Sequence, residues 1–202
     1  MTNSLLQKIC NTNFEKLFAK LGYAYFKKGY YNLNIIGIRK EGNKVTNVFD
    51  DYLVVIYNTE KEGRKTMIFE ITTDPGLDYI MNPIAKKGTA ILVPGQYRGC
   101  WKIGLHQGKY EALCQRKPVK VYRDANKDKV YDFKPNTIED GIFGINIHKA
   151  GYESKQVNNW SAGCQVFKRY NDFRSFMRLC HKQVESGWGE TFTYTLLKEE
   201  QL

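Results

Sequence analysis

The chain lacks any uninterrupted apolar run near the ~18 residues that a membrane-crossing helix needs, so no membrane span is expected. Its opening, MTNSLLQKIC, lacks the basic start, apolar stretch and small-residue cleavage site of a secretory signal. The expectation is synthesis in the cytoplasm. Proline is scarce (5 residues) and glycine moderate (17), which excludes collagen-like and low-complexity sequence. There is no CxxC pair, so a zinc ribbon is not expected. Five cysteines at irregular spacing make a poor disulfide framework, and reduced thiols follow as the default. Neither a metal nor a cofactor is expected. Basic runs of five or more, and the signatures of nucleic-acid-binding folds, are also missing, so no specific nucleic-acid partner is expected.

Apolar surface, by contrast, is plentiful. Hydrophobic residues make up 42% of the 202 positions and aromatics 14%. That is enough to bury a core without covalent staples and excludes a disordered chain. The net charge of +10 draws the protein toward polyanions such as nucleic acid, anionic membranes or anionic cell walls.

The first 30 residues read as helical, then aromatic. Thr12-x-x-Glu15 has the pattern of a capping box, Phe14, Leu17, Phe18 and Leu21 follow at helical spacing, and Gly22 is a stop. Tyr23, Tyr25, Phe26, Tyr30 and Tyr31 read as a seam between this helix and the main domain, with a carbohydrate-contact surface as the alternative. From about Leu33 the apolar period becomes two. Strands are expected over 33–39, 52–57, 65–72, 89–93, 96–105, 110–113, 119–123, 141–148 and 192–197, with one late helix over 171–186. Many short strands and a single late helix argue for a mainly β, antiparallel domain rather than alternating βαβ units. Residues 1–44 are read as an N-terminal helical and aromatic extension packed on a main domain of 45–202.

The stretch 141–167, GIFGINIHKAGYESKQVNNWSAGCQVF, carries the chemistry. Phe143, Ile145 and Ile147 alternate onto one face, while Ile142, Gly144, Asn146 and His148 fall on the other. His148 ends the strand, where it can meet a partner from another segment. Trp160-Ser161-Ala162-Gly163-Cys164 supplies that partner. Small residues before the cysteine permit a tight turn and close substrate approach, and their amides can bind a developing oxyanion. An adjacent imidazole activates a thiol, which predicts a Cys164 pKa below the ordinary value.

These residues carry a family resemblance. GINIHKAG…WSAGCQV resembles the signature of the L,D-transpeptidase catalytic domain, through Gly144, Ile147, His148, Gly151, Ser161, Gly163 and Cys164. Gly88-Thr89…Val93-Pro94-Gly95-Gln96-Tyr97 is similar to the element that precedes the catalytic half in that family. The likeness spans 45–200 and is sharp over 141–167. Two positions depart from it: Ala162 stands where the family usually has His, and Val166 where Arg is frequent.

The resemblance implies a β-sandwich-like fold and a Cys164 nucleophile with His148 as general base and then acid. Asn146, Trp160, Ser161, Ala162 and Gly163 would support the oxyanion and the substrate. It further implies a thioester formed on the peptide stems of peptidoglycan, resolved by water (cleavage) or by an amine (cross-linking). The departures resemble divergent forms from viruses of bacteria, which favours an endolysin-like hydrolase acting at the wall after release, or as a virion component. A non-catalytic wall-binding or virion structural module is the rival. Two weaker patterns remain. Cys100 and His106 flank Trp101 in a structural strand, and Asp124–Asp132 reads as a polar turn with part of a calcium-loop pattern.

Overall fold

The computed structural model describes residues 4–202. Two short helices, α1 (Ser4–Asn11) and α2 (Phe14–Leu21), precede strands β1 (Asn34–Arg39), β2 (Asp51–Thr59) and β3 (Gly63–Thr72). Helix α3 (Leu77–Met81) leads to β4 (Thr89–Leu92), β5 (Gly95–His106), β6 (Tyr110–Gln115), β7 (Val119–Asp124) and β8 (Glu139–Gly141). Then come β9 (Ile147–Lys149), β10 (Gln165–Phe167), helix α4 (Tyr170–Glu185) and β11 (Thr191–Lys198). Helix α2 is capped by Asn13, whose side chain accepts from the Lys16 amide, rather than by Thr12; the Thr12 hydroxyl instead donates to the Lys8 carbonyl of α1.

Eight strands form a closed barrel in the order β1-β11-β5-β6-β9-β10-β3-β2, and β4, β7 and β8 form a separate sheet. The mainly β architecture with N-terminal helices and a late helix is present. The sandwich and the purely antiparallel pairing are not. Strand β1 pairs with β2 on one edge and runs parallel to β11 on the other. Strands β9 and β10 are also parallel, and they join β6 to β3. With both gaps bridged, no open edge separates two sheets. Within residues 1–44, β1 is a barrel strand held on both edges.

Ile35, Leu53, Val55, Phe69, Ile71, Trp101, Leu113, Ile147, Phe167 and Leu196 fill the barrel together with Phe173, Phe176 and Cys180 of α4. The alternate face of β1 and β2 (Ile36, Ile38, Val54, Ile56) is covered by Leu5, Ile9, Phe14 and Phe18 of α1 and α2. Burial on both faces explains why β2 reads as an almost unbroken apolar run. The aromatic seam packs as expected: Tyr23 and Tyr25 meet Phe18 edge-on, and Tyr31 stacks on Tyr57.

The strand expected over 141–148 is broken. β8 stops at Gly141, Gly144 takes φ = +73°, and β9 starts only at Ile147. Gln115 replaces the missing ladder, since its Oε1 accepts from the amides of both Phe143 (3.1 Å) and Ile145 (2.9 Å).

Candidate active site

The site lies where the barrel closes. Chain 150–164 crosses over the outside after β9 and returns parallel to it as β10, a connection of the length that parallel pairing requires. Val166 is the register partner of His148, and Gln165 that of Ile147. Ile147 and Phe167 point into the barrel, so His148 and Val166 take the outer face. There Cys164 packs against Phe49, Ala150, Val157 and Val166. Cys164 directly precedes β10 and, by alternation, falls on the same side as Val166 and His148.

The turn before the thiol is built from small residues for steric reasons. Gly163 has φ = +116°, and a Cβ there would stand 2.1 Å from the Ala90 carbonyl oxygen. The buried Ser161 hydroxyl accepts from the Gly163 amide (3.2 Å) and donates to the Cys164 carbonyl (2.8 Å). From inside the barrel, the Tyr194 hydroxyl donates to Gln165 Oε1 (2.8 Å), and Gln165 Nε2 donates to the Gly163 carbonyl (3.3 Å). Ala162 faces a cavity of about 220 Å³ lined also by Tyr79, Thr89, Ala90, Arg123 and Phe143. Trp160 is 40% exposed, and its indole lies over Gly151 at the rim.

Cys164 is half-buried. Its Sγ lies 3.4 Å from the Gly144 carbonyl oxygen, to which it donates, and 3.4 Å from the Asn146 amide, from which it accepts. Its hydrogen-bond partners are these backbone groups, not the imidazole. His148 is buried, with Nδ1 2.8 Å from the Lys149 carbonyl oxygen. A carbonyl only accepts, so Nδ1 carries the proton and Nε2 keeps its lone pair. The Tyr110 hydroxyl shares that carbonyl (3.3 Å) and lies 3.2 Å from Nδ1.

Electrostatically the pair rests neutral. Burial pushes the Cys164 thiol up to about 11, against the pull of the Asn146 amide. Burial, and then the charge His106 would carry, push His148 down to about 3. The depressed thiol pKa expected from the sequence is therefore not what the site has, because desolvation of the sulfur outweighs the donors around it.

Of the residues singled out from sequence, Asn146, His148, Ser161, Gly163 and Cys164 form one connected region. Ala162 borders the adjoining cavity and Trp160 the rim. The Gly163 amide is engaged by the Ser161 hydroxyl. The pairing of Cys100 with His106 is not made: Cys100 is buried against the Arg98 and Pro118 carbonyls.

His106, read from the sequence as structural, and Tyr110, not singled out there, complete the site. The His106 ring stacks on His148 with centroids 4.0 Å apart and 20° between planes. Its Nδ1 accepts from Asn146 Nδ2 (3.0 Å), while Asn146 Oδ1 accepts from the Gln115 amide (2.9 Å). Tyr110 is the register partner of His106 across a tight turn at Gln107-Gly108, both with positive φ. The HQGKY hairpin was the available signal, since it sets His106 and Tyr110 on opposite sides of one turn.

Comparison with known proteins yields no match to any family model, curated protein or solved structure.

Proposed function

We propose that the protein is a cysteine-dependent enzyme that cleaves amide bonds in peptidoglycan stem peptides through a Cys164 thioester. The observation that carries the reading is the parallel pairing of β9 and β10, which sets Val166, two residues after Cys164, opposite a buried His148 whose Nδ1 is engaged by a backbone carbonyl, leaving the Nε2 lone pair free. The sequence resemblance to the L,D-transpeptidase catalytic domain supplies the substrate class. The +10 charge suits an anionic wall, reached after release from the cytoplasm or as part of a virion.

Because both groups rest neutral, the proton moves as the thiol attacks. Nε2 of His148 takes the Sγ proton while sulfur bonds to the substrate carbonyl carbon. The Asn146 amide, already 3.4 Å from Sγ, is the donor assigned to the oxyanion. Collapse breaks the C–N bond, and Nε2 returns its proton to the leaving amine. Water, deprotonated by the same nitrogen, then releases the acid and regenerates the thiol. An amine in place of water gives a cross-link, the L,D-transpeptidase variant of the chemistry. The cavity beside Ala162 offers room for a substrate side chain next to the reacting carbonyl.

Purified cell walls incubated with wild type and Cys164→Ala test the proposal, with new amines and new cross-links read by mass spectrometry. New amine ends from wild type alone are expected. Silence from both proteins on walls of varied stem chemistry overturns it. That result would favour the non-catalytic wall-binding module, the reading to which the raised thiol pKa lends its weight.

A further inference from the structure

The turn after β7 places side-chain oxygens at Asp124, Asn126, Asp128 and Asp132, the first, third, fifth and ninth positions of one loop. Asp124 is fully buried, and its two oxygens differ. Oδ2 accepts from the Asp132 amide at 3.1 Å, which turns the carboxylate into the loop, while Oδ1 has no hydrogen-bond partner. A buried carboxylate oxygen left without a partner is costly. The Lys134 ammonium pairs with Asp132 Oδ1 at 3.0 Å.

Asn126 lies between two of the other carboxylates, and its Oδ1 accepts from the Asp128 amide at 3.3 Å. Asn126 Nδ2 lies 2.9 Å from Asp128 Oδ2 and 3.1 Å from Asp132 Oδ2. The loop is anchored from outside: the Val45 amide donates to the Lys129 carbonyl (3.0 Å) and the Tyr131 amide to the Asn43 carbonyl (2.6 Å).

We propose that this loop is a binding site for calcium, held by Asp124, Asn126, Asp128 and Asp132, with the Asp124 Oδ1 oxygen as its buried anchor. An all-oxygen ligand set suits a hard cation, and a set without octahedral geometry suits the larger Ca²⁺ over Mg²⁺, which demands a tight octahedron. Among the described residues no three acidic, imidazole or thiol groups form a preassembled metal cage. Binding therefore closes the loop, and the Asn126 amide turns its oxygen inward in place of Nδ2. Lys129 and Pro135 stand where tight calcium loops carry glycine and a bidentate glutamate. The site accordingly belongs to the weak class, with a Kd of about 10⁻⁴–10⁻³ M.

The test is independent of enzymatic activity. Thermal unfolding of the full chain is followed at constant ionic strength while Ca²⁺ or Mg²⁺ is raised from about 0.1 to 10 mM, for wild type and Asp128→Asn. Asp128 is exposed, so this variant keeps the fold where Asp124→Asn risks losing it. The expected result is a saturable rise in Tm with Ca²⁺ that is absent with Mg²⁺ and abolished in Asp128→Asn. Tb³⁺ luminescence excited through tyrosine, displaced by Ca²⁺ in wild type and missing in the variant, is the matching spectroscopic outcome. Equal responses to the two cations, or equal responses of the two proteins, overturn the proposal.

Discussion

Two buried polar regions of this barrel are put together in opposite ways. One lies where β1, β3 and β4 end. There Arg39 donates through Nε to Thr73 Oγ1 (3.0 Å), through Nη1 to the Leu92 carbonyl (2.9 Å) and through Nη2 to the Thr73 carbonyl (3.0 Å). Its Nε is also 2.8 Å from Asp74 Oδ1, too oblique for a hydrogen bond, so that contact is ionic. Asp51 accepts from the Lys40 amide (2.8 Å) and from the Thr73 amide and hydroxyl (2.6 and 2.8 Å). The other region is the pair of Cys164 and His148, where the groups rest uncharged and Nε2 keeps a free lone pair. A buried guanidinium tied to two carbonyls, a hydroxyl and a carboxylate holds strands together. Neutral groups with an open valence are what a reaction can use.

Removing the guanidinium should have the largest effect. Arg39→Met leaves the Asp74 carboxylate buried without its counter-charge, and about 3–5 kcal/mol of stability should be lost in denaturant unfolding. A loss below about 1 kcal/mol would mean that the two regions do not differ as described.

His148→Gln should do the reverse. Amide cleavage should fall by about 10²–10⁴-fold, with little loss of stability at neutral pH. The same variant sharpens the contrast through pH. The folded-state pKa of His148, about 3, lies below its ordinary value of 6.5. Above pH 6.5 both states are neutral and the residue adds nothing. Below it the unfolded chain takes up a proton that the folded one refuses, so stability is lost as pH falls toward 3, by about 2 kcal/mol at pH 5. Thermal unfolding of wild type against His148→Gln should show this part of the acid limb flattened in the variant. Identical limbs would place the acid sensitivity elsewhere.

Tyr110→Phe is the smallest change. It removes one hydrogen bond to the Lys149 carbonyl, and a loss of about 1 kcal/mol, or roughly fivefold in rate, is expected. Retained activity would show that the Lys149 carbonyl holds the imidazole unaided.

The segments were easier to read in the sequence than the closure that joins them. The long strands β2, β3 and β5 and the helix α4 carry clear periodicity, and their residues mark them plainly. Strands β9 and β10 have only three residues each, too few for alternation to register, yet they shut the barrel and set His148 beside Val166. The break at Gly144 was hidden because its replacement hydrogen bonds come from Gln115, about 30 positions away. Within the site, Cys164 and His148 stood out by their local setting. His106 and Tyr110 did not, since they arrive from a distant hairpin and matter through a ring stack and a shared carbonyl. The low thiol pKa failed as an expectation because residue type tells nothing of how dry the sulfur will be.

The parallel seam between β1 and β11 bears on how the protein is made. Ile35 finds its partner Tyr194 only after about 160 further residues have left the ribosome. Until then one edge of β1 stays bare, and the nascent chain carries an adhesive strand that invites pairing with its neighbours. Maturation must accordingly be late and slow, and a fragment cut short of Thr191 should accumulate as aggregate rather than as a smaller folded protein.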